Sequence, residues 1–228
     1  MAFFHTKPEK IKNIVLFSTG AFAAAAVMHF SGTGPAFRIA FPLAILTLAS
    51  LWLTPWEMTL ALLFSAIGDY FGSESNFVVQ MACFAAAHIW FITFFIRRYA
   101  TKVEHDGKLT LKAKGYAAML VFMGCVLTVW VFCTIVPAAP SGFVRTGVAI
   151  YALLICVMLI LALLQRSSLY AVGAMLFVFS DFILAWNRFK EPIPAAGYLI
   201  MIPYYIGQWL IFVRATPYRV PGLRRHRM

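Results

Sequence analysis

Charge is scarce in this chain. Only 12% of its 228 residues are Asp, Glu, Lys or Arg, and just eight are acidic. A soluble domain carries roughly 25% charged residues, so a fold wetted on every side is excluded. Cysteine is also sparse. Cys83, Cys125, Cys133 and Cys156 each lie in an apolar stretch, with no Cys-x-x-Cys pair and no Cys/His spacing of a zinc site. They read as small buried hydrophobes. Long polar segments are missing too. The longest loop, 97–112, is too short to fold by itself, so one domain over 1–228 is expected, ending in a basic tail at about 216–228. The alternating pattern of outer-membrane strands is absent.

Apolar residues, in contrast, are abundant: 62% of the chain is hydrophobic, with 22 phenylalanines. No single soluble core could hide that surface, so lipid must cover the excess. A helix crossing a membrane needs about 20 mostly apolar residues. Eight such runs are found, at 11–30, 37–53, 58–71, 77–96, 113–136, 143–165, 169–186 and 196–215. Turn-forming clusters separate most of them, among them Thr54-Pro55, Gly72 to Asn76 and Pro137 to Gly142. The third run is the shortest and can be extended back to Trp56. The expected fold is therefore an all-α integral membrane bundle of eight transmembrane helices.

A net charge of +11 in a soluble protein would suggest nucleic acid. Here the charges gather at the chain ends and in one loop, which fits membrane orientation and anionic lipid instead. With the N-terminus inside, 15 of the 19 Lys and Arg fall on the inner side. That bias predicts both termini in the cytoplasm, a multi-pass protein of the bacterial inner (plasma) membrane, and the bilayer rather than nucleic acid as partner. A cleaved signal peptide in place of the first span is the competing reading.

Ionisable groups at membrane depth cost roughly 2.5–3.5 kcal/mol on insertion scales and so mark function. Asp69 in the third run and Asp181 in the seventh qualify. With a rise of about 1.5 Å per residue, Asp69 is expected about 6–7 Å outward of its helix midpoint and Asp181 about 5 Å outward of its own, with His88 roughly 2 Å and Gln208 roughly 4 Å inward. Four polar groups on four helices thus share one central slab. Ser65, one turn before Asp69, and Ser180 beside Asp181 can hydrogen-bond carboxyls and let helices approach. The bland alternative makes each Asp a structural partner of a neighbouring helix. Leu63-Phe64 before Gly68-Asp69 resembles Leu176-Phe177 before Ser180-Asp181, a weak sign of a four-plus-four repeat. Glu57 reads as ordinary helix N-terminal chemistry. Asn187, Arg188 and Lys190 form the densest positive cluster on the outer side, either an interfacial anchor or a phosphate clamp. Tyr204 and Tyr205 are either packing aromatics or pocket hydroxyls.

Several stretches carry a family resemblance. Ser65-Ala66-Ile67-Gly68-Asp69, Phe84-Ala85-Ala86-Ala87-His88, Ser180-Asp181-Phe182 through Trp186-Asn187-Arg188-Phe189, and Tyr204-Tyr205-Ile206-Gly207-Gln208 resemble, in order and spacing, the YhhN-like lysoplasmalogenases. The chain departs from the family at Phe41-Pro42, where Lys-Pro is usual and Arg38 stands one turn away, and at Gln80, where glycine is usual. The resemblance implies a lysophospholipid substrate. Its vinyl ether bond is hydrolysed to a fatty aldehyde and a glycerophospho-ethanolamine or -choline.

The chemistry of the residues is compatible. Vinyl ethers hydrolyse by protonation of the β-carbon, and water then captures the oxocarbenium ion. That needs one protonated acid and one group that activates water. Two buried carboxyls, Asp69 and Asp181, can hold both states, without the sequence deciding which does which. His88 and Gln208 would orient water or the ether oxygen, and Arg188 or Lys190 the phosphate. Asp69, Asp181 and His88 are too few donors for a metal site, so no metal or other cofactor is expected. Two alternatives stay open. An intramembrane aspartyl protease also uses paired aspartates, but here the first glycine of Gly-x-Gly-Asp is missing. A proton-coupled transporter of a small or lipid-like solute would relay protons through buried acids.

Overall fold

The computed structural model describes residues 8–32, 34–106 and 111–217. The expected basic tail lies outside them from residue 218 onward. The described residues form eight α-helices: α1 (Pro8–Phe30), α2 (Phe41–Leu53), α3 (Trp56–Ser73), α4 (Phe77–Asp106), α5 (Leu111–Thr134), α6 (Phe143–Leu164), α7 (Ser168–Phe189) and α8 (Ala196–Ala215). Short 3-10 turns at Ala36–Ala40 and Val136–Ala138 lead out of α1 and α5. The described residues contain no strand.

Proline and glycine set several boundaries. Pro42 lies in the first turn of α2, where its missing N–H costs nothing. Pro55 sits at the N-cap of α3, so that helix starts at Trp56, earlier than residue 58. Gly142, with φ of 89°, makes the left-handed turn into α6.

Among the described residues seven helices are long and apolar enough to cross a membrane, and the chain is a multi-pass membrane protein. The expected eighth, α3, falls short of that standard. Within 18 residues it carries Glu57, Thr59, Ser65, Gly68, Asp69, Gly72 and Ser73. All of these up to Asp69 are covered by protein: Glu57 and Asp69 are each 3% exposed and Ser65 is fully buried. α3 packs chiefly on α4 and α2.

Side-chain contacts gather the helix ends into two sets. At one end Arg97 of α4 pairs with Glu57 of α3, Gln165 Nε2 donates to the Phe95 carbonyl at 2.9 Å, and the guanidinium groups of Arg98 and Arg214 flank the Tyr170 ring. At the other end Phe77 meets Phe189, and the Tyr205 hydroxyl donates to the Ile39 carbonyl at 2.8 Å. Between them runs a core including Leu43, Leu46, Met58, Leu62, Phe91 and Phe177. A second, separate cluster of Met81, Ile135, Ala139 and Val148 lies toward the Phe77 end.

α7 and α8 touch backbone to backbone. A Cβ at Gly207 would stand 2.7 Å from the Gly173 carbonyl oxygen, and one at Gly173 would stand 2.9 Å from that of Gly207. Small residues at both positions permit this approach. Pro203 lies inside α8, one turn before Gly207. α5 is peripheral and packs mainly on α6, with Phe122, Met123, Val126 and Val129 exposed.

Candidate active site

Asp69 and Asp181 are each gripped by a tyrosine from another helix. The Tyr204 hydroxyl of α8 donates to Asp69 Oδ2 at 3.0 Å, and the Tyr151 hydroxyl of α6 donates to Asp181 Oδ2 at 2.6 Å. Both carboxyls are buried, at 3% and 8% exposure.

His88 of α4 joins the two halves. Its ring lies 5.2 Å from that of Tyr151 and 4.9 Å from Phe177, and Phe177 lies 5.4 Å from Tyr204, all between centroids. His88 Nδ1 sits 2.7 Å from the Phe84 carbonyl. A carbonyl can only accept, so Nδ1 carries a proton, and in the neutral ring Nε2 is left as an acceptor. Nε2 is buried without a hydrogen-bond partner, 4.0 Å from Asp181 Oδ2. A separation of that size between polar atoms suits one bridging water.

Gln208 lies one turn beyond Tyr204. Its Nε2 donates to Ser65 Oγ at 3.1 Å, and Ser65 in turn donates to the Ala61 carbonyl at 2.9 Å. The Gln208 carbonyl oxygen is buried and unpartnered. Two unpartnered buried acceptors beside two acids is a costly arrangement unless a donor is admitted. Among the described residues, no group of three or more His, Cys, Asp or Glu could hold a metal ion.

The sequence candidates thus divide. Asp69, Asp181, Ser65, His88, Tyr204 and Gln208 converge from α3, α4, α7 and α8, and Ser180 is buried beside Asp181. Others are engaged elsewhere. Asn187 Oδ1 accepts the Ile193 N–H at 2.8 Å and so shapes the loop after α7. The Lys190 ammonium lies 5.3 Å from the Trp186 ring centroid. Tyr205 reaches the Ala36–Ala40 turn and packs on Phe22 and Phe30. Arg188 stands apart at the end of α7, its guanidinium 4.9 Å from the Phe77 ring centroid. Arg38 donates to the carbonyls of Pro35 and Met28, which ties α1 to the following turn. Gln80 fills the notch that Gly72 leaves on α3. The residue that sequence reasoning passed over is Tyr151. Its one signal is a phenol near the middle of the most apolar helix, whose mean hydropathy is 2.9.

The relatives of the chain are informative at this point. It is 34% identical to the lysoplasmalogenase TMEM86B of Sus scrofa over 152 residues, which is 66% of this chain and 59% of that protein. It is 43% identical to the Homo sapiens TMEM86B over 74 residues, 32% of each chain. It is 29% identical to the lysoplasmalogenase TMEM86A of Bos taurus over 182 residues, 70% of this chain and 65% of that protein. The chain therefore spans from about a third to just under two thirds of these curated relatives. No solved structure matches it. The YhhN family matches residues 35–215, a stretch that contains every helix bringing a residue to the two acids, and the chain belongs to that family.

Proposed function

We propose that this protein is a lysoplasmalogenase, which hydrolyses the vinyl ether of a lysoplasmalogen to a fatty aldehyde and a glycerophospho-ethanolamine or -choline. The observation that carries this is the pair of buried carboxyls, each held by a phenol, with the free Nε2 of His88 beside one of them. The names of the relatives point to the same substrate.

The two halves of the site suit two tasks. Asp181 and His88 accept the protons of one water molecule and turn its oxygen toward the substrate. Asp69 holds a proton and delivers it to the β-carbon of the vinyl ether. The oxocarbenium ion forms next to the Asp181 carboxylate, where negative charge stabilises it. Water adds to its carbon, the resulting hemiacetal collapses, and aldehyde and glycerol hydroxyl separate. One water is consumed and no redox partner is needed. The Gln208 carbonyl oxygen accepts a hydrogen bond from water or from the glycerol hydroxyl.

In this proposal α3 completes an eight-crossing bundle and both chain ends face the cytoplasm, as the Lys and Arg distribution favours. The acids then lie toward the outer leaflet.

The test is aldehyde release from lysoplasmalogen by detergent-purified protein. In D2O the aldehyde should carry one deuterium at its α-carbon. No aldehyde from folded wild type would overturn the function. Full activity in both Asp69→Asn and Asp181→Asn would overturn the site.

A further inference from the structure

At the Phe77 end of the bundle lies an open pocket of about 490 Å³, lined by residues that include Glu74, Phe77, Val144 and Arg188. On the basis of the lysoplasmalogenase function proposed above, we infer that this pocket seats a zwitterionic phosphoethanolamine head group, its phosphate on Arg188 and its ammonium on Glu74.

The first support is the state of the charges. At the opposite end of the bundle, Glu57 and Arg97 pair with each other, and the carboxylate is 4% exposed. Glu74 and Arg188 line one pocket as well, yet among the described residues no ion pair joins them. Each therefore keeps its hydrogen-bonding capacity for a ligand bearing both signs. The Arg188 guanidinium lies against the Phe77 ring, which fixes it at the pocket wall.

The second support is register. Arg188 follows Asp181 by seven residues on α7. Val144 precedes Tyr151 by seven on α6. Phe77 precedes by seven on α4 the Phe84 that packs on Tyr204. Seven residues are two helical turns, so each pair shares one helix face and is separated by about 10.5 Å. Three walls of the pocket thus stand two turns above Asp181, its partner Tyr151, and Phe84, whose carbonyl faces His88. A glycerol with its phosphate bridges such a gap once the Arg and Asp side chains reach inward. Arg188 also leans the right way, because helical Cα–Cβ bonds tilt toward the N-terminus, here toward Asp181.

The turn between pocket and acids is apolar, with Met81 and Val148 buried there. Gly147 leaves a notch that the end of Met81 occupies. Met is unbranched and rotates readily, so it can yield to a ligand joining the two sites.

Head-group choice follows from the chemistry. A primary ammonium donates hydrogen bonds to a carboxylate, as Lys does. A trimethylammonium has no such donors. Glu74 therefore favours ethanolamine over choline.

The experiment compares KM and kcat for the two lysoplasmalogens in wild type, Glu74→Gln and Arg188→Gln, with melting in detergent as the folding control. Glu74→Gln should raise KM for the ethanolamine substrate roughly fivefold, the size of an exposed ion pair, and raise the choline KM less, because choline loses only the charge attraction and no hydrogen bond. Arg188→Gln should raise both by about tenfold, acting on KM rather than kcat. A folded Glu74→Gln with an unaltered KM ratio overturns the head-group seat while aldehyde release still stands. If wild type releases no aldehyde, a non-hydrolysable alkyl-ether lysophosphoethanolamine tests the pocket by itself. Equal affinity in wild type and both variants then overturns the seat, and weaker binding in both supports it.

Discussion

α3 and α5 differ in composition and in surroundings, in opposite senses. α5 has a mean hydropathy of 2.5 over Gly115–Ala138, yet only 17% of its most apolar window is buried. α3 is too polar to rank among the crossing helices, yet Glu57, Thr59, Ser65 and Asp69 are all buried. In water the apolar helix would be the central one. In lipid the solvent is itself apolar, so α5 is at ease on the outside, while the polar groups of α3 need protein partners. Between these two helices the less apolar one is the interior one, and it carries Asp69.

Substitutions should separate the buried interior from the outward-facing α5 sharply. The largest effect is expected at the acids. Asp69→Asn and Asp181→Asn should each lower aldehyde release by about 100-fold or more, the usual contribution of acid–base catalysis, with the folded protein verified by size-exclusion chromatography. Next come the phenols that grip them. Tyr151→Phe removes a hydrogen bond to the Asp181 carboxylate, worth about 1.5–3 kcal/mol, so kcat should fall roughly tenfold or more; Tyr204→Phe removes a neutral bond to the protonated Asp69, worth about 1 kcal/mol, and kcat should fall roughly fivefold. An unchanged kcat in Tyr151→Phe would detach α6 from the site.

A third contrast is steric. Gly207→Ala forces a methyl against the α7 backbone and should cost about 1–3 kcal/mol of stability. Gly115→Ala on α5 has open space around its Cβ and should leave the melting temperature nearly unchanged. Comparable melting losses in the two would contradict the inside–outside difference. The smallest effect is expected at Cys125 and Cys133, which are exposed on α5 rather than buried as their apolar stretch suggests. Their replacement by Ser should shift activity by less than about twofold, within the range of surface substitutions, as an aldehyde assay can check.

Much of this arrangement is legible in the residues alone. Runs of about 20 apolar residues announce helices because lipid demands internally bonded backbone. Asp69 and Asp181 stand out because a carboxyl at that depth is expensive. Partnership is harder to read. Tyr151 carries no such cost, because a phenol is common in membrane helices; only packing shows it beside Asp181. Asn187 and Lys190 looked like ligands from charge and location, but the turn after α7 directs one to a backbone N–H and the other to Trp186. Glu74 drew no attention as a loop acid, because its relation to Arg188 depends on how α3, α4 and α7 end side by side. α3 itself was read as a span by its apolar run, while its polar residues lowered its average below that of the other seven.

Pro203 gives α8 a joint. Proline has no N–H, so the Leu199 carbonyl lacks its helical partner, and the outer turns of α8 can tilt without breaking a bond there. Those turns carry Tyr198, stacked on Phe30 of α1 at 5.3 Å. Below the joint, Gly207 clamps α8 to α7. The Tyr204 hydroxyl that holds Asp69 lies one residue past the joint, on the clamped side. Tilting there would move Tyr198 against Phe30, while Tyr205 and Trp209, past the joint, hold α8 to α1 beside the grip on Asp69.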